Sequence, residues 1–130
     1  MALTQVVYEL TTGVEQADAA ILKSDETATL AVGYNVTTFN AGTKTTGTFT
    51  PAPASGNIQR AVNGGAFTLA PPATDCVMII QITNNASAGV ITTSGFTTVE
   101  GTLTTTNGDD FLLYITRVNG FNLLSVRALQ

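Results

Sequence analysis

The segment "DFLLYITRVNGFNLLSVRALQ", residues 110–130, constrains the fold most. Asn119-Gly120 at its middle is the favoured centre of a type I′ turn, because both central positions need φ > 0. Apolar arms flank that turn, so the segment predicts a β-hairpin. Its arms do not alternate apolar with polar. Phe111, Leu113 and Ile115 share one face of the first arm, and Leu112, Tyr114 and Val118 the other. The return arm puts Phe121 and Leu123 on one side, Leu124 and Val126 on the opposite side. Both faces of the hairpin therefore need cover.

Cover within the subunit requires the hairpin to be central, with a helix over its second side, since a two-layer sandwich buries one face only. Cover by another copy is the alternative. Each large apolar side chain taken from water is worth about 1.5–3 kcal/mol, and a contiguous exposed patch is one that soluble monomers avoid. The reading adopted is self-association, as a homotrimer, with Leu112, Tyr114, Val118, Phe121, Leu123, Leu124 and Val126 as interface residues. A dimer satisfies the same burial argument. "CVMIIQIT" repeats the pattern, with Cys76, Met78, Ile80 and Ile82 on one side and Val77 and Ile79 on the other.

Between residues 45 and 110 short strand candidates alternate with turn residues: "TTGTFT", "NIQRAV", "AFTLA", "CVMIIQIT", "VITTS", "FTTVE" and "TLTTT". Pro51 and Pro53 confine the first to a sheet edge. No crossover helices separate the strands, so parallel pairing is disfavoured; no fixed-period repeat is visible either. The expected fold is all-β: an antiparallel, jelly-roll-like β-sandwich over residues 45–130. The composition agrees. Charged residues make up 11% of the chain, about half the usual ~25%, and Thr, which fits a pleated surface, takes their place.

Residues 1–44 read as a distinct arm within one compact domain. "TQVVYEL" is a strand candidate, and Thr12 with Glu15 forms a capping box for a helix over 13–24. Val14, Ala17, Ile21 and Leu22 make its apolar stripe. "ATLAVGYNVTTF" alternates as a strand through Leu30, Val32, Tyr34 and Val36. Val6, Val7, Tyr8, Val14, Ile21 and Leu22 are the expected docking residues toward a larger assembly.

Little in the sequence supports catalysis. There is no histidine, which removes the usual general base and commonest metal ligand. A carboxylate pair could still hydrolyse glycosides, but Asp109 and Asp110 are adjacent, and neighbours in a strand point to opposite faces. "NGDD" lacks the spacing of a calcium loop, and "VNGGAF" lacks the lysine of a phosphate loop. The expectation is a non-enzyme without cofactor or metal. The single cysteine, Cys76, sits in a buried-strand pattern and reads as a core residue. Net charge is −4, and the five basic residues form no cluster. Nucleic acid is therefore not an expected partner, nor is an anionic membrane surface. The start "MALTQVVYEL" lacks a signal-peptide pattern, so synthesis in a cytosol is expected.

The stretch from Asn63-Gly64-Gly65 through Thr68 to Pro72, Gly95-Phe96 and the terminal Ala128 to Gln130 resembles a module in structural proteins of tailed bacteriophages and alphaproteobacterial prophages. The likeness covers roughly residues 45–130. It implies a virion component, either a capsid decoration protein or part of a fibre or spike. Its partners would be sister chains and other virion proteins, such as the major capsid protein or tail subunits. It carries no catalytic motif. Decoration is preferred because the chain is short and has no long shaft. The alternative is a knob that binds a host receptor or glycan through the loops "NNASAG" and "TTNGDD".

Overall fold

The computed structural model describes Gly33 and residues 35–130. The chain divides into two compact units at Asn35/Val36, and the second is the one described. The helix over 13–24, the first strand candidate and the six docking residues Val6, Val7, Tyr8, Val14, Ile21 and Leu22 lie outside the described residues. Val36 is described and belongs to no strand.

The second unit contains nine strands: β1 (Phe39–Lys44), β2 (Thr48–Phe49), β3 (Ile58–Asn63), β4 (Phe67–Leu69), β5 (Cys76–Asn84), β6 (Ile91–Thr93), β7 (Thr98–Glu100), β8 (Asp110–Val118) and β9 (Phe121–Ala128). They form a six-stranded sheet in the order β1-β3-β5-β8-β9-β7 and a three-stranded sheet in the order β2-β4-β6. From β1 to β6 the chain alternates between the two sheets. Every second strand stacks on its predecessor in parallel: β1 on β3, β3 on β5, β2 on β4, β4 on β6. Phe39 lies beside Gln59, Lys44 beside Asn63, Ile58 beside Ile79 and Phe67 beside Ile91, so the coils are unequal in length, roughly twenty residues each. The all-β class holds, but the architecture is a short parallel β-solenoid with an antiparallel end, where β8 pairs β5 and β9 pairs β8.

This corrects the expectation of an antiparallel sandwich. The short turns do not fold one strand back on the last. They carry the chain across the core to the opposite sheet, so parallel strands need no crossover helix. Residues 102–106, expected as a strand, form none. β1, assigned from sequence to the arm, is a strand of the large sheet.

Three features make the coils stack. First, the strand ends Lys44, Asn63 and Asn84 fall in register. Asn63 Nδ2 donates to Asn84 Oδ1 at 2.8 Å and to the Gly89 carbonyl at 2.9 Å. Asn84 Nδ2 donates to the carbonyls of Thr104 and Thr106 at 2.8 and 3.1 Å. Both asparagines are buried, and buried amides persist only when bonded in this way. Second, the turns are in contact. A Cβ on Gly89 would lie 2.1 Å from the Ala66 nitrogen, and one on Gly65 would lie 2.7 Å from the Thr45 carbonyl oxygen. Only glycine permits that approach. Third, buried Gln59 donates to the carbonyls of Ala52 and Gly56, both at 2.9 Å, fixing the return into β3.

Inward side chains of both sheets form one core. Phe49 and Phe67, 6.5 Å apart and edge to face, come from the small sheet with Leu69. Met78, Ile80, Ile82, Phe111, Leu113, Ile115 and Leu124 come from the large one.

Candidate interaction surface

The hairpin forms as its sequence demands. Asn119 and Gly120 take φ of 47° and 82°, and β8 and β9 pair from Val118↔Phe121 to Phe111↔Ala128. Register decides which side chains meet the core. Ile115 pairs with Leu124 and Leu113 with Val126, and all four point inward and are buried. Tyr114 pairs with Ser125 and Thr116 with Leu123 on the outer face.

Of the seven expected interface residues, Leu112, Tyr114, Val118, Phe121 and Leu123 share that outer face. Leu124 and Val126 do not. They complete the subunit's own core, and this corrects their assignment. With two adjacent leucines, 123 and 124, the sequence cannot say which faces inward; the pairing with β8 does.

The outer face extends over β5 and β3 in ordered rows. One row runs Val77, Thr116, Leu123, Thr98, and the next Ile58, Ile79, Tyr114, Ser125, Glu100. A third runs Arg60, Gln81, Leu112, Arg127. The apolar rows lie toward the hairpin turn. There Phe121 is 67% exposed, Val77 62%, Val118 59%, Tyr114 40% and Leu123 37%. Single exposed apolar residues are unremarkable on a protein surface. Five in adjoining rows make a patch of the kind that marks an interaction site. Charges sit at its margins: Arg60, Arg127 and Glu100.

The remaining groups offer little chemistry. Thr104 Oγ1 donates to Asp109 and Thr83 Oγ1 to Asp110, so both carboxylates are engaged by neighbouring hydroxyls. Cys76 faces the core side at the hairpin end. Burial chiefly, with help from the adjacent Asp75 carboxylate, raises its thiol above the ordinary value, although Arg117 opposes this. Asp75 accepts the Asn119 N–H at 2.9 Å and lies 3.7 Å from Arg117 Nε. The Arg117 guanidinium also donates to the Pro72 carbonyl at 2.8 Å, so the cluster fastens the hairpin turn to the entry of β5. Lys44 Nζ sits 4.5 Å above the Phe49 ring.

A shallow trough on the outer face of the small sheet is lined by Gly47, Thr48, Ala66, Phe67, Thr68, Val90 and Thr92, with no ionisable group. Among the described residues, no cluster of three or more histidine, cysteine or acidic side chains could hold a metal, and no helix is long and apolar enough to cross a membrane. The asparagine ladder was missed in the sequence. Its signal was present: two strands ending in asparagine, 63 and 84, one coil apart.

Comparison of the chain with protein-family models, curated proteins and solved structures finds no match.

Proposed function

We propose that this chain is a non-catalytic structural protein of a phage virion, of the capsid-decoration type, acting as a homotrimer. The observation that supports self-association is the open apolar face of β5, β8 and β9. Burying Phe121, Val77, Val118, Tyr114 and Leu123 against sister chains would contribute roughly 1.5–3 kcal/mol for each side chain fully removed from water, less for those already part-covered. The virion assignment rests on the resemblance carried by Asn63-Gly64-Gly65, Thr68 to Pro72, Gly95-Phe96 and Ala128 to Gln130. In this reading residues 1–44 dock on capsid or tail subunits, and many weak contacts repeated over the particle hold by avidity. The protein works as a passive clamp and needs no cofactor, nucleic acid or membrane.

A second reading is a fibre or spike element. The stacked coils favour it, because parallel coils extend along an axis by adding units. Antibody labelling of intact particles separates the two. Copies spread over the head support decoration. Copies confined to the tail end support the fibre or spike, and absence from purified particles removes both.

A further inference from the structure

The hairpin tip carries an inference that rests on its own geometry and not on the self-association proposed above. We propose that Asn119-Gly120 is a self-modifying site: in the folded chain Asn119 deamidates through a cyclic imide, ahead of the other two Asn-Gly pairs.

The chemistry needs no co-reactant other than water. The Gly120 amide nitrogen gives its proton to solvent hydroxide and attacks Cγ of the Asn119 side chain. The N–Cγ bond forms and the Cγ–Nδ2 bond breaks. The side-chain nitrogen takes a proton from water and leaves as ammonia. Water then opens the five-membered ring at either carbonyl, giving aspartate or isoaspartate. Glycine favours the attack because no side chain crowds its nitrogen.

The sequence holds three such pairs: Asn63-Gly64, Asn107-Gly108 and Asn119-Gly120. The fold treats them differently. Asn63 is buried, its side chain is bonded to Asn84 and Gly89, and the Gly64 N–H donates to the Lys44 carbonyl at 2.9 Å. Asn107 is exposed, but the Gly108 N–H donates to the Asn84 carbonyl at 2.9 Å. Asn119 and Gly120 are both exposed, and the Gly120 N–H donates to no described residue.

The turn also has a route to the reactive geometry. Attack needs the backbone C–N bond to eclipse Cα–Cβ, so that the nitrogen meets Cγ. In a type I′ turn ψ of the first central residue is about +30°, which holds the two apart. A flip of the central peptide gives a type II′ turn, where that ψ is about −120° and the bonds eclipse. The φ of Asn119 stays positive through the flip; it is 47° in the structure. Both turn types close two-residue hairpins. The flip therefore leaves the Val118↔Phe121 pair and the Asn119 N–H bond to Asp75 in place. At Asn107 the same rotation breaks the Gly108 bond to Asn84, which lowers the reactive population about five-fold or more. At Asn63 it requires global unfolding, which lowers it at least about a thousand-fold. Isoaspartate at 119 adds one carbon to the backbone of the turn, and either product sets a carboxylate beside Asp75.

Incubating the full-length protein in mildly alkaline buffer, with and without guanidinium, tests this. Trypsin separates Asn119, in peptide 118–127, from Asn63 and Asn107, in peptide 61–117. Fragment mass spectra locate each exchange of amide for carboxyl, and isoaspartyl methyltransferase labels the isoaspartate. In the folded chain Asn119 should convert about five-fold faster than Asn107 or more, with Asn63 intact. In guanidinium the three rates should converge. Asn119→Gly keeps an accepted turn centre, so it should preserve the circular dichroism and remove the label from peptide 118–127. Folded-state conversion at Asn107 or Asn63 as fast as at Asn119 overturns the proposal. So does an intact Asn119 in the folded chain while the denatured chain converts, or conversion of peptide 118–127 at Asn122 instead.

Discussion

Replacing Asn84 by alanine should unfold the solenoid at a markedly lower temperature. The Asn84 side chain is buried and makes three hydrogen bonds, accepting from Asn63 Nδ2 and donating to the Thr104 and Thr106 carbonyls. Each bond contributes about 1 kcal/mol net, so their joint loss costs about 3 kcal/mol. Against a typical domain stability of about 5–15 kcal/mol this is large. For a unit of this size 1 kcal/mol corresponds to roughly 4–8 °C in Tm, so the fall should be roughly 12–24 °C by differential scanning calorimetry. Asn84→Asp sharpens the test. A buried carboxyl has its pKa raised by desolvation, so the protonated form is favoured in the folded state. The penalty is then small below the unfolded pKa of about 3.9 and grows as pH rises above it. Asn84→Asp should therefore be closer to wild type at pH 4 than at pH 7. An Asn84→Ala protein melting within about 3 °C of wild type would refute the claim that the ladder holds the coils together.

Three further outcomes are expected. Gly89→Ala should destabilise far more than Gly108→Ala in urea titrations, because a Cβ at 89 strikes the Ala66 nitrogen whereas none lies near 108, where the cost is that of the φ of +90° alone. Phe121→Ser with Leu123→Thr should leave the thermal melt of the dilute chain within about 1 kcal/mol of wild type, as exposed sites do, while lowering the mass by light scattering; an unchanged oligomer would exclude this face as the contact. Cys76, with its thiol raised by burial, holds less thiolate at neutral pH than a free cysteine and should react with a disulfide reagent more slowly, recovering once the chain is denatured.

The hairpin was legible in the sequence because a two-residue turn of fixed chemistry, Asn119-Gly120, sets its register without help from the rest of the chain. The apolar strands β5 and β8 were legible as apolar runs of strand length bounded by turn residues, with large side chains on both faces. Pairing direction was not. Parallel and antiparallel strands bury the same inward residues, and what separates them here is where a turn sends the chain. Between Asn63 and Phe67 three residues carry it into the other sheet, and no local pattern distinguishes that from a hairpin loop. The coil period was hidden for a related reason: inward positions such as Ala61 and Ile82 are adjacent in register but differ in size, so the repeat exists in geometry and not in residue identity. The open face was half legible. Tyr114 and Val118 stand out by alternation, whereas Leu123 and Leu124 are neighbours whose roles only pairing separates.

The account depends on the outer face of β8 and β9 being covered by sister chains. The mass of the purified full-length protein, followed by light scattering from high to micromolar concentration, tests this most directly. Three chains per particle throughout that range is the expected result, and a single chain at every concentration would contradict it.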